Sequence, residues 1–267
     1  MSHRVWALLG VSCLVLAACD EPPTPEAKPT ASAAPAPAPS VAPAAAPEPA
    51  AEAPKPKKPK KTLADCPKGP NVTFDNPGVE AAVRLKLPKP EGDITIADLK
   101  RLKSFNGEAA RLKLEELDVC VFSHMTGLKE LVIGQGTYDD LSPIAGATQL
   151  ESLIAGMNQV SDITPLAKMK KLDRLDLGRT QVKDITPLAG LTMLTELQLD
   201  STPVEDITPL AKLTLLEDVT IKGTQVKDLS PLKDLKKLKK FDGRDTPADE
   251  DPMSFAALRA NGVKIVN

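Results

Sequence analysis

Few side chains in this 267-residue chain could do chemistry, and their spacing decides among the chemistries. His124 has Ser123 beside it and Cys120 four residues before it. Adjacency in sequence does not make a nucleophile and base, because a triad is assembled from residues that meet in space. Cys120-x-x-x-His124 with the distant Cys66 supplies three metal ligands at no familiar zinc spacing. Asp140, Asp162, Asp184, Asp206 and Asp228 recur as a column and raise the question of a calcium ladder. Each stands just before a buried-type Ile or Leu of a turn, where aspartate habitually bonds nearby backbone N–H groups, so capping is the reading adopted. No glycine-rich phosphate cradle occurs, since Gly134-x-Gly136 belongs to a repeat. The formal charge of −2 carries no nucleic-acid footprint. The expectation is a non-enzymatic chain with no cofactor, no metal and no nucleic acid.

The aspartates are placed by a repeat. DITPLA occurs at 162–167, 184–189 and 206–211, each copy 22 residues after the last. Fixed-period self-similarity decides architecture before any single residue does. Five units start at Leu131, Leu153, Leu175, Leu197 and Val219, and a degenerate sixth at Phe241. In the third unit, LDLGRTQVKDITPLAGLTMLTE, the apolar residues are Leu175, Leu177, Val182, Ile185, Leu188, Leu191 and Leu194. The first two alternate with polar residues, as in a short half-buried strand. The last three are spaced by three, as in a 3₁₀ or short helical turn. Between the strand and the turn lies Thr186-Pro187, repeated as Ser142-Pro143, Thr164-Pro165, Thr208-Pro209 and Ser230-Pro231. Thr is expected as N-cap and Pro as first helical residue. Tyr138 falls in a core column otherwise filled by Val or Ala.

The pattern LxLxxTxVxDITPLxxLxxL resembles the 22-residue leucine-rich repeat of internalin-like bacterial proteins. The resemblance extends upstream: VTFDNPGVEAAVRLKL (72–87) and GDITIADLKRLKSF (92–105) look like that family's helical N-terminal cap, with helices starting at Asn76-Pro77 and Thr95. It implies an α/β fold, a right-handed leucine-rich-repeat solenoid with a parallel concave sheet, short helical or 3₁₀ convex turns and a helical cap. A single unit cannot cover its own apolar edge, so stacking and end caps are required. The domain spans 62–267, divided into a cap (62–111), repeats (112–262) and a terminal strand (263–267). The unit around 112–130 is irregular. A closing helix is expected from Met253 to Ala260, stopped by Gly262. One departure is the sixth position of each unit, where many such repeats carry Asn. Asn158 keeps it, whereas Gly136, Thr180, Thr202, Thr224 and Thr246 do not. Thr also bonds locally to backbone, so the turn should survive.

The N-terminus has a basic start, His3-Arg4, then an apolar run from Val5 to Ala18, too short to span a bilayer comfortably and laid out as a secretory signal. It ends in LAAC, which resembles a bacterial lipobox. The resemblance implies cleavage after residue 18 and acylation of Cys19, anchoring the protein to a membrane at the cell envelope. Residues 20–61 are nearly all Pro, Ala, Glu, Thr, Ser and Lys, a composition that cannot offset its ordering entropy. They read as an extended tether of on the order of 100 Å at most. Its end, KPKKPKK (55–61), is either a solvated linker end or a contact for anionic lipid or cell-wall polymer. Exported chains meet oxidising conditions, so a Cys66–Cys120 disulfide is the default pairing, with zinc at these residues and His124 as the alternative. Closing that loop would contribute about 4 kcal/mol in the chain-entropy model.

On such a solenoid the residues flanking the strand leucines face the concave solvent. The candidate partner-binding residues are Val132, Ile154, Met157, Arg174, Asp176, Arg179, Glu196, Gln198 and Asp200. They run from an apolar, glycine-lined N-terminal end to a centre of mixed charge, and an exposed apolar patch with a polar rim marks an interaction site. A protein partner is the leading expectation. The alternative is a structural envelope factor that touches cell-wall polymer through its tether and through the convex lysines of KDLKKLKK (233–240).

Overall fold

The computed structural model of the chain describes residues 60–251 and 253–266. The signal, Cys19 and nearly all of the tether lie outside them. Strands β1 (Ser104–Asn106), β2 (Glu130–Val132), β3 (Ser152–Ile154), β4 (Arg174–Asp176), β5 (Glu196–Gln198), β6 (Asp218–Thr220), β7 (Lys240–Asp242) and β8 (Lys264–Ile265) follow one another, in chain order, across one parallel sheet. From β2 to β7 the central residues Leu131, Leu153, Leu175, Leu197, Val219 and Phe241 pair in succession, which is the register the 22-residue period dictates. The sheet begins earlier than the boundary at 112 drawn from the sequence. Phe105 of β1 already pairs with Leu131, inside the segment read as cap.

Each column of the repeat is buried along the stack. The strand leucines, the Tyr138/Val160/Val182/Val204/Val226/Ala248 column and the Leu166/Leu188/Leu210 column are all at most 2 % exposed. The seven apolar positions read from the third unit are buried, each worth roughly 1.5–3 kcal/mol of burial. Backbone bonds carry the same period between units: Leu177 N donates to Gln198 O and Leu199 N to Thr220 O. On the convex side 3₁₀ turns form at Thr164–Lys168, Thr186–Gly190 and Thr208–Lys212, with shorter ones at Ser142–Ile144 and Ser230–Leu232.

The turns are capped by the aspartate, not by the Thr hydroxyl. The Oδ1 atoms of Asp140, Asp162, Asp184, Asp206 and Asp228 accept the N–H two residues on, at 2.7–2.8 Å. Ile163 and its counterparts occupy the position before the turn and are buried, so Thr164 already lies inside it. The Thr hydroxyl turns back to its own aspartate, and with the backbone N–H this holds the Asp162 carboxyl below the usual range.

The sixth position works as expected for Thr. Thr180, Thr202, Thr224 and Thr246 each donate their hydroxyl to the carbonyl three residues back, at 2.6–2.7 Å. Asn158 instead donates to Gly134 O, Gly156 O and the Tyr138 hydroxyl. Gly136 has no side chain because a Cβ there would stand 2.2 Å from Leu114 O, where the irregular unit passes. Just before this position Met157, Arg179, Ser201 and Asp245 adopt left-handed φ of 53–59°, a conformation that costs Gly223 (φ 68°) in the same column nothing. Their geometry is imposed from the next unit: Met157 N donates to Gly178 O, Arg179 N to Asp200 O and Ser201 N to Lys222 O.

Caps close both ends. Helix α1 (Pro77–Arg84) starts where Asn76 accepts from Gly78 N and Val79 N, and α2 (Ile96–Arg101) starts at a Thr95–Asp98 capping box. Helix α3 (Val119–Phe122) carries Cys120, which is disulfide-bonded to Cys66 with Cα atoms 5.4 Å apart. The closing helix α4 spans only Ala256–Ala260, because Met253 and Ser254 turn back onto Asp251 rather than entering the helix. Gly262 (φ 80°) ends it: Gly262 N donates to Arg259 O and Val263 N to Leu258 O, a Schellman motif that delivers the chain to β8.

Two outcomes follow for thermal unfolding. Asp162→Ala should lower Tm by about 2–4 °C, whereas Thr164→Val should produce a smaller drop. Ser201→Gly should raise Tm by about 2–4 °C, because it relieves a left-handed non-glycine residue at a position where the next unit carries Gly223.

Candidate binding surface

The middle strand residue points into the core, so its neighbours on either side emerge on the concave face. Val132, Ile154, Asp176 and Gln198 are consecutive cross-strand partners there. Val132 is half-buried, while Ile154 is 39 % exposed and Met157 in the following column 45 % exposed. These two are large apolar side chains held in solvent by a rigid sheet. Arg174 and Glu196 form an exposed cross-strand ion pair at 3.5 Å on one flank. Gln198 and Arg179 are exposed, and Asp200 is half-buried.

The glycines that line this face are seats for the aspartates. A Cβ on Gly156 would lie 3.0 Å from Asp176 Oδ1, and one on Gly178 would lie 2.4 Å from Asp200 Oδ1. Both carboxylates therefore lean against backbone one unit upstream, and both glycines are buried beneath them. Asp176 Oδ1 also accepts Gly178 N at 2.9 Å. Burial, seconded by the charge of Asp200, pushes the Asp176 carboxyl above its ordinary value despite that bond. Toward the C-terminal end the charges are matched: Asp242 with Arg244 (2.7 Å), Asp218 with Lys240 (2.8 Å) and Asp245 with Lys222 (3.5 Å). The nine residues read from the sequence thus fall on one face, with an apolar end and a carboxylate centre.

The groups weighed for chemistry are occupied otherwise. Cys66 and Cys120 are joined to each other, which removes them from any site with His124. Ser123 Oγ is buried with no hydrogen-bond partner among the described residues. The aspartate column is committed to turn N–H groups. Sequence reasoning missed the Tyr138–Asn158 bond (2.7 Å), which satisfies the buried phenol. Its signal was a lone Tyr in the core column of one unit followed by the lone Asn at the sixth position of the next.

A family described as leucine-rich repeats (two copies) matches residues 148–190. No curated protein matches the chain. Among solved structures it is similar to internalin C2 of Listeria monocytogenes, with 29 % identity and a TM-score of 0.63 over 72 % of this chain and 83 % of that one. It is similar also to internalin InlF of the same organism, at 25 % identity and TM-score 0.62 over 72 % of this chain. In that case it spans 55 % of the other protein. A leucine-rich-repeat protein of Leptospira interrogans shares the fold at 17 % identity and TM-score 0.50, over 64 % of this chain and 50 % of that one. The chain is a leucine-rich-repeat solenoid of internalin-like architecture.

Because the folded state holds the Asp176 proton more tightly than the unfolded chain does, this residue removes stability as pH rises from its ordinary 3.8 through its raised value. Asp162, Asp184, Asp206 and Asp228, all held low, do the opposite and lose stability as pH falls below 3.8. Asp176→Asn should flatten the Tm-versus-pH curve just above pH 3.8 and leave the acid limb below it intact.

Proposed function

We propose that this protein is a non-enzymatic binding scaffold at a bacterial cell envelope, whose concave face takes a protein partner. The observation that carries the reading is the pair Ile154 and Met157, exposed on a rigid sheet beside a charged centre. Exposed apolar residues gathered on one face and rimmed by polar groups favour protein contact. The leucine-rich-repeat architecture supports it, since such solenoids commonly present their concave surface to partners. The lipid anchor at Cys19 and the tether remain part of the proposal through the LAAC sequence and the composition of residues 20–61. Among the described residues no helix is long and apolar enough to cross a membrane.

A second reading, a spacer that contacts cell-wall polymer through its lysines, draws on the exposed Lys233, Lys236 and Lys237 of the convex side. Cross-linking capture from envelope fractions separates the two. The full chain should retain a protein that is lost from the Ile154→Arg and Asp176→Arg variants, while deletion of 55–61 has no effect. Equal capture by wild type and both variants would sink the concave-face reading. Loss on deleting 55–61 alone would favour the spacer.

A further inference from the structure

One surface column of the repeat varies from unit to unit, and its first member is matched in an unusual way. The residue before each turn aspartate is Ser161, Lys183, Glu205 or Lys227, but in the first unit it is a second aspartate, Asp139. Of these, Glu205 is matched within the stack, by Lys183 at 2.7 Å. Asp139 is matched from outside the repeats. Lys60 Nζ lies 2.9 Å from Asp139 Oδ1 and 3.6 Å from Asp140 Oδ2. Asp140 serves twice, since its other oxygen caps Ser142 N. The next residue, Lys61, bonds Asp75 and feels the charges of Asp118 and Glu116. Two lysines thus meet five carboxylates drawn from the cap, the irregular unit and the first turn. The segment crosses a small pocket walled by Glu116, Asp118, Asp139 and Asp140, and Cys66 then fixes it covalently to α3.

We propose that this acidic flank, Asp75, Asp139 and Asp140 with Glu116 and Asp118, is a docking surface for the basic end of the tether. Lys60 and Lys61 clasp the incoming chain onto the solenoid instead of reaching for an external polyanion. Charge complementarity argues for it, as does continuity: the lysines lie only a few residues from the disulfide, so little chain must be ordered to seat them. Each pair is at least partly exposed and individually weak, and salt weakens it further. The clasp is therefore a reversible contact beside a permanent one, and a polyanion competes for the same lysines.

Trypsin reads this directly. In KPKKPKK the Lys55–Pro56 and Lys58–Pro59 bonds resist cleavage, leaving Lys57–Lys58, Lys60–Lys61 and Lys61–Thr62 as reporters. In the full chain at low salt, cleavage after Lys60 and Lys61 should accelerate about three- to ten-fold in Asp139→Asn/Asp140→Asn. Half-molar salt should produce the same acceleration in the wild type. Asn retains an oxygen for the Ser142 cap, and Asp206→Asn, which alters the same turn three units on, should leave the rates unchanged. The double variant should also bind inorganic polyphosphate several-fold more tightly than wild type. Equal cleavage rates in wild type and double variant, or equal polyphosphate affinity, would overturn the clasp.

Discussion

One turn of this chain cannot bury its own leucines. A strand of three residues and a 3₁₀ turn enclose too little volume to exclude water, so each unit is a half-core completed by the next. That constraint explains why the 22-residue period is kept so strictly between β2 and β7. A slip of one residue would swap every buried leucine with a concave residue. It explains the caps as well. At the N-terminal end Phe105 and Phe122 meet edge to face with centroids 5.3 Å apart, in one core cluster with Val79 and Val83 of α1 and Leu99 of α2. At the other end Phe255 of the closing segment covers Phe241, their centroids 5.9 Å apart.

The same constraint frees the concave face. Because the core columns and the turn columns carry the folding, residues between them are held in place without being needed to hold anything. Ile154 and Asp176 are direct cross-strand neighbours of opposite character, which a sheet stabilised by its own surface would not favour. Glycines 156 and 178 extend this freedom by letting the carboxylates of the next unit lie flat on backbone. A surface assembled this way can be apolar at one end and anionic in the middle with little cost to the stack.

Most of the fold was legible because the period states the register, and the cap signals at Asn76-Pro77, Thr95 and Gly262 are local chemistry. What was not legible depended on neighbours one unit away. In DITP both Asp and Thr are competent caps, and only the burial of Ile163 shows that the turn begins after it, leaving the role to Asp162. The start of the sheet was hidden because Phe105 lies 26 residues before Leu131, outside the period. On the candidate surface the columns were readable as columns, but nothing in the sequence of Gly178 says that Asp200 rests on it. The contact of Lys60 with Asp139 joins segments far apart in the chain, and its only trace was an aspartate where the other units vary.

The disulfide has a mechanical meaning. Any pull delivered along the chain from its N-terminal side first strips the weak Lys60 and Lys61 ion pairs, then reaches Cys66 and crosses to Cys120 through a covalent bond. Once those contacts part, residues 67–119, which include α1, α2 and β1, are bypassed by the covalent path. The force enters the solenoid at α3, and from there it runs unit to unit along the hydrogen-bonded sheet. A protein held from that side would keep its cap intact under tension, with the far end around β8, two residues long and paired on one side, the first to yield.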